Sequence, residues 1–322
     1  ALGLQGDVAE HASTYLRVLY LTGFALALTP LIDAALIAMG NTVLPLCLQA
    51  GVLVINGILT PIFIFYFEMG VGGAALGTTI AQTVGVVAGL MVLFRKAGIR
   101  RRHLKINVRI KRIFHIGFPM AISTAMYSLV YWALLGTSVS KLGSEVNAAL
   151  GIGFSGLEAM SWPVYMGVSV AVSSIVGRKL GEGRPDQAWL TIRMVFWPQV
   201  GLGVLAGSVF YFFGATIVRP FSADEKVFAE AVVYATILAW SQPFVSLEAL
   251  FEGVLAGAGD TKKLFWGTVP FNLLRIPLAW IFAFSLTMGA AGIWWAINLT
   301  TIAKAMVKGW MVWRGDWSRL EI

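Results

Sequence analysis

The chain has 322 residues, of which 58% are hydrophobic and only 12% charged. A soluble domain carries about a quarter charged residues, so this chain has too few polar groups to cover a water-exposed surface. The formal net charge of +8 sits mostly in short loops between apolar blocks, which points to a membrane surface rather than to nucleic acid.

In chain order the apolar blocks fall at 14–37, 44–67, 72–95, 113–137, 147–176, 188–213, 226–255, 262–286 and 289–313. Each reaches the ~20 residues that cross about 30 Å of hydrocarbon. Backbone in lipid must satisfy its own hydrogen bonds, so each block is a helix. The expected class is an all-α polytopic membrane protein with nine transmembrane helices in this chain. Turn residues separate the spans: Gly40-Asn41-Thr42, Gly70 to Gly73, Gly181 to Pro185 and Gly257 to Thr261. One cysteine, Cys47, rules out an intrachain disulfide, and His11, His103 and His115 are too scattered for a metal site.

Lys and Arg predict the orientation. One set of loops holds 16 of them, from Arg95 through the run to Arg112, then Arg178, Lys179, Arg184, Lys262, Lys263, Arg314 and Arg319; the opposite set holds 3, Lys141, Arg219 and Lys226. The C-terminus is therefore expected in the cytoplasm. The segment 95–112 has nine basic residues and no acidic one. The domains expected are 1–96, the remainder of an N-terminal lobe with three helices; 97–112, a basic cytoplasmic linker; 113–314, a C-terminal six-helix lobe; and 315–322, a cytoplasmic tail.

Sliding the sequence on itself by 219 residues aligns 8–95 with 227–314 without a gap, and 17 of the 88 positions are identical. The identities fall on punctuation: Gly40 with Gly259, Thr42 with Thr261, Met69-Gly70 with Met288-Gly289, Gly73 with Gly292. Asp33 faces Glu252, Asn41 faces Asp260, and Asn56 faces Arg275. The repeated unit is three spans, both copies running in one direction. Spans 113–213 have no partner in the chain, which predicts about 110 upstream residues with three more helices and a six-plus-six architecture with a parallel pseudo-twofold axis.

The chain resembles the multidrug and toxic compound extrusion (MATE) family. Gly156-Leu157-Glu158 through Pro163, Gly167 to Ala171, Val176-Gly177 and Leu180 to Pro185 look like that family's eighth helix and the loop after it. Gly253 to Thr261 followed by Arg275-Ile276-Pro277-Leu278 looks like its tenth-to-eleventh helix region, Gly117-Phe118-Pro119 like the start of its seventh, and Gly70 to Ala75 like the turn between its fifth and sixth. The resemblance runs from helix four to helix twelve. It implies a cation-coupled antiporter, Na⁺ or H⁺ in and an amphipathic drug or metabolite out, by alternating access between two six-helix lobes. Tyr127 stands where several branches carry a carboxylate, and the choice between Na⁺ and H⁺ stays open. Without the first three helices, half the translocation path is expected to be missing.

An ionised side chain in mid-membrane costs several kcal/mol and is a functional candidate. Glu158, Glu248 and Arg275 fall near the middle of their spans. Glu252 lies one turn beyond Glu248 on the same face, and Asp33 and Glu252 sit ~10 Å from the cytoplasmic end. Glu158 and Glu248 are the expected coupling-cation residues, with Glu252 and Tyr127 beside them and Arg275, Asp33 and Asn56 as further candidates. A static pair between Glu248 and Arg275, and a structural role for Asp33, are the competing readings. Tyr127, Tyr131, Trp132, Trp162 and Tyr165 are candidates to line a cavity for flat cations, whereas Trp294, Trp295, Trp310 and Trp313 are expected in interfacial belts. The expected partners are a small amphipathic substrate and the bilayer, with no cofactor beyond the coupling ion, no nucleic acid and a monomeric state. A lipid or lipid-linked saccharide flippase, a membrane enzyme and a non-transporting membrane protein are the alternatives. The second lacks clustered acids or histidines for a metal, and the third leaves the mid-span carboxylates unexplained.

Overall fold

The computed structural model describes residues 7–21, 23–97 and 109–319. Of the basic linker expected at 97–112, residues 98–108 lie outside them, while its ends are helical, Ala97 closing one helix and Arg109 opening the next. Among the described residues the secondary structure is helical throughout, as the apolar blocks dictate. The chain divides into two compact units, 1–106 and 107–322.

In the first unit, α1 (Asp7–Leu21) and α2 (Gly23–Ala38) are followed by α3 (Val43–Pro61), a π-helical turn (Ile62–Tyr66) and α4 (Gly70–Ala97). The span expected at 14–37 is not one straight helix: Ser13–Tyr20 and Gly23–Ala38 are bent by 57°, beside Gly23, a residue type at which helices kink. Ala25, Ile32 and Leu36 of α2 pack with Val86 of α4 to form the unit's small core.

In the second unit the order is α5 (Arg109–Thr137), α6 (Ser144–Ile152) running through a π-helical turn (Gly153–Glu158) into α7 (Ala159–Gly181), α8 (Pro185–Val218), α9 (Glu225–Gly257), α10 (Thr261–Trp280) with a π-helical turn (Ile281–Ser285), and α11 (Gly289–Trp313). Among the described residues, six helices are long and apolar enough to cross a membrane, and a seventh counts if the bent α1–α2 pair is one span. The spans expected at 226–255 and 289–313 are helices too, of 33 and 25 residues. They fall outside that set and carry Gln242, Glu248 and Glu252, and Asn298, Lys304 and Lys308.

The 219-residue repeat is written into the backbone. Gly40 and Gly259 both take left-handed φ, 81° and 72°, and close a Schellman turn: Asn41 N–H donates to Leu36 O at 3.0 Å, and Asp260 N–H to Leu255 O at 2.9 Å. The next helix is capped alike, since Asn41 Oδ1 accepts from Leu44 N at 3.0 Å and Asp260 Oδ1 from Lys263 N at 3.3 Å. The π-helical turns at 62–66 and 281–285 are in register. So are Glu68 and Thr287, non-glycine residues with φ of 52° and 54°. A Cβ on Gly73 would lie 2.8 Å from the Phe63 carbonyl oxygen, and one on Gly292 2.8 Å from that of Phe282. Glu and Thr share little chemistry, so the common left-handed geometry comes from the helix-to-helix turn and not from the side chain.

Candidate functional site

α9 is the centre of the second unit and packs against α7, α8 and α11. Glycines bring the backbones together: a Cβ on Gly207 would strike Ala239 O, and one on Gly257 would strike Ser173. Polar groups on α9 are therefore enclosed and must find partners on neighbouring helices. Tyr165 Oη of α7 donates to Gln242 Oε1 at 3.1 Å. Gln199 Nε2 of α8 donates to Ser246 O at 2.8 Å, and Ser246 Oγ returns a bond to Gln199 O at 2.8 Å.

Further along α9, Glu248 and Glu252 are met by Lys304 and Lys308 of α11. Glu248 Oε1 lies 3.0 Å from Lys304 Nζ and 2.7 Å from Lys308 Nζ, and Lys308 also bonds Glu252. Two i,i+4 ladders of opposite charge thus interlock across the helix pair. Lys308 is 0% exposed and Glu248 4%, so each charge depends on the others.

Arg275 of α10 is 2% exposed and directs its fork at three hydroxyls: Nε to Thr300 Oγ1 at 3.1 Å, Nη2 to Thr301 Oγ1 at 3.2 Å and Nη1 to Tyr131 Oη at 2.8 Å. Its guanidinium also stands 5.3 Å from the Tyr131 ring centroid, and Tyr127 packs on Tyr131 with centroids 4.7 Å apart. Glu158 ends the π-helical turn between α6 and α7, a type of bulge frequent at functional sites. The Tyr234 hydroxyl of α9 donates to Glu158 Oε1.

Of the seven residues singled out from the sequence, Tyr127 and Arg275 meet on Tyr131, Glu158 is held by Tyr234, and Glu248 and Glu252 belong to the lysine ladder. Glu248 pairs with Lys304 and Lys308 and not with Arg275, whose nitrogens go to the three hydroxyls. Asp33 and Asn56 lie in the first unit. Gln49 Nε2 donates to Asp33 Oδ2 at 2.8 Å; Asn56 Nδ2 donates to Thr78 Oγ1 at 3.0 Å and Asn56 Oδ1 accepts from Thr60 at 3.4 Å. Two aromatic expectations change. Trp294 is buried, edge-on to Tyr234 at 4.9 Å, and takes no part in an interfacial belt. Tyr165 is buried against Gln242 and lines no open surface.

Sequence reading missed Lys304, Lys308 and Tyr234. The lysines had a signal, an i,i+4 pair inside an apolar span matching the spacing of Glu248 and Glu252. Tyr234 showed only as an identity with Tyr15 in the repeat.

Gly153 opens the π-helical turn, and a Cβ there would run into the Tyr234 ring. Gly153→Ala is expected to displace the ring from Glu158 and cost about 1–3 kcal/mol through overpacking. Gly136→Ala, where a Cβ meets nothing within 4 Å, should be near neutral. Thermal melting of both variants in detergent checks the contrast.

The MatE family model matches residues 119–281. A curated relative from Thermotoga maritima, "Probable multidrug resistance protein NorM", is 24% identical over 328 residues, covering 99% of this chain and 70% of the relative. Another of that name from Pseudomonas putida is 28% identical over 271 residues, covering 77% of this chain and 56% of the relative. Among solved structures, a MOP superfamily transporter from Pyrococcus furiosus superposes with a TM-score of 0.90 at 19% identity, covering 99% of this chain and 73% of that one. A MATE transporter from Vibrio cholerae, VcmN, in its bent form superposes with a TM-score of 0.79 at 21% identity, covering 98% and 72%.

Proposed function

The chain belongs to the MatE family, and from that membership we propose that it is a multidrug efflux transporter of a bacterial inner membrane, exporting amphipathic and often cationic compounds in exchange for Na⁺ or H⁺. The single observation that carries this reading is Glu158. It is a mid-span carboxylate at a π-helical break, bonded by the Tyr234 hydroxyl. Such a group is costly in hydrocarbon and suits a site that exchanges one small cation or proton per cycle. Tyr127, 39% exposed and packed at a tilt against Tyr131, offers a ring face to a cationic substrate. The lysine ladder leaves Glu248 and Glu252 already neutralised, so their part is to hold α9 against α11 while Glu158 exchanges its ion.

The buried cations give little support to a flippase for lipid-linked pyrophosphates, because Lys304 and Lys308 are engaged by carboxylates. The excess of Lys and Arg in one set of loops favours a cytoplasmic C-terminus, in a monomer working by alternating access. In proteoliposomes with an imposed Na⁺ or proton gradient, Glu158→Gln is expected to slow dye efflux about tenfold or more, equivalent to ~1.4 kcal/mol or more on the transport barrier. Wild-type efflux in that variant would remove Glu158 from the mechanism.

A further inference from the structure

In the second unit the repeat positions 248, 252, 304 and 308 hold Glu, Glu, Lys and Lys; 219 residues earlier, the first unit holds Thr29, Asp33, Gly85 and Gly89. The backbone register of the two copies is the same, so these positions correspond element for element: α2 stands for α9 and α4 for α11. The acid survives at Asp33, and both lysines are replaced by glycine. A small cavity lies there, lined by Thr29, Ile32, Asp33, Gln49, Val52 and Gly85. Among the described residues Asp33 has no Lys or Arg ion-pair partner; its Oδ2 accepts from Gln49 Nε2. Thr29 Oγ1 beside it has one proton to donate and two acceptors within reach, Ala25 O at 3.1 Å and Gln82 Oε1 at 3.3 Å.

We propose that the Asp33 cavity binds a small monovalent cation from solution, at the place where the second copy carries its own lysine ammonium. The donors are the Asp33 carboxylate and the Thr29 hydroxyl, hard ligands suited to Na⁺, K⁺ or ammonium. The cavity is too tightly walled by Ile32 and Val52 for an organic cation of drug size. Its function is to neutralise Asp33 and hold α2, α3 and α4 together, as Lys304 and Lys308 neutralise Glu248 and Glu252 between α9 and α11. The inference stands on the first unit alone and does not depend on the transport reading.

Thermal melting of the whole chain in detergent tests it, in chloride salts of Na⁺, K⁺, ammonium or choline at equal ionic strength. At least one small cation should raise the wild-type midpoint over choline by about 3 °C. Asp33→Asn should melt no lower than wild type in choline and lose the cation-dependent rise. The double substitution Val52→Ala with Gly85→Lys installs a tethered ammonium, Val52 being the side chain that a Cβ at Gly85 would strike; it should also lose the rise. In a Glu158→Gln background, which removes the cation site proposed in the second unit, equal midpoints in all four salts, or a rise that persists on adding Asp33→Asn, would overturn the proposal. Because the readout is stability, a failure of the efflux assay leaves this result untouched.

Discussion

Replacing Lys308 with methionine is expected to destabilise the second unit by about 2–3 kcal/mol, below the full cost of breaking a buried ion pair because the carboxylate it strands is only partly buried. Lys308 is 0% exposed and bridges Glu248 and Glu252. Methionine keeps the length and apolar stem of the side chain, so packing changes little and the loss is electrostatic. Lys304 remains for Glu248 at 3.0 Å, which leaves Glu252 as the carboxylate without a partner. Two comparisons follow from that geometry. Lys304→Met should cost less, because Lys308 still serves both acids. Adding Glu252→Gln to Lys308→Met should recover part of the loss, because the double variant keeps one complete pair and removes the stranded charge. Thermal midpoints in detergent decide it; a Lys308→Met protein that melts with wild type would mean that the ladder contributes no stability.

The parts of this fold that were legible in the sequence are those where local chemistry has few solutions. Gly-Asn-Thr and Gly-Asp-Thr end helices because only glycine enters the left-handed region cheaply and because Asn or Asp next to it can cap the following helix. The offset of 219 therefore appeared in the residues and again in the backbone. Positions such as Glu68 and Thr287 share a left-handed φ without sharing a residue type, and no sequence pattern marks them. The ladder was half legible. Glu248 and Glu252 stood out as mid-span acids, but their partners lie 56 and 60 residues away, and nothing local says which face of α11 turns towards α9. Trp294 was misplaced for a related reason: closeness to a span end suggests an interface, while the actual neighbour, Tyr234, comes from another helix. A static pair between Arg275 and Glu248 stood as a competing reading because mid-span charges of opposite sign invite pairing. The three hydroxyls of Tyr131, Thr300 and Thr301 satisfy it instead, and hydroxyl residues are too common in spans to be singled out beforehand.

A double-mutant cycle on Arg275 and Glu158 should expose a coupling that no direct ion pair carries. Arg275 directs its nitrogens at Tyr131, Thr300 and Thr301, and Glu158 is bonded by Tyr234. Yet the helix interior of the second unit sets three buried bases, Arg275, Lys304 and Lys308, against one buried acid, Glu248, and two partly buried ones, Glu158 and Glu252, so its charge balances only as a set. Arg275→Met alone is expected to cost about 3 kcal/mol, since it removes three charge-assisted hydrogen bonds and tips the set to negative. Glu158→Gln alone should cost about 1 kcal/mol, because glutamine still accepts from Tyr234 while the set becomes positive. In the double variant the balance returns, and the combined loss should fall short of the sum by about 1–2 kcal/mol. Arg275→Lys separates the two contributions: it keeps the charge, so it should leave the charge coupling to Glu158 in place, but it loses the fork and with it most of the three-hydroxyl anchoring. Strict additivity in the cycle would show that Glu158 and Arg275 belong to independent sites. The efflux mechanism would then have to rest on Glu158 and Tyr234 without the guanidinium.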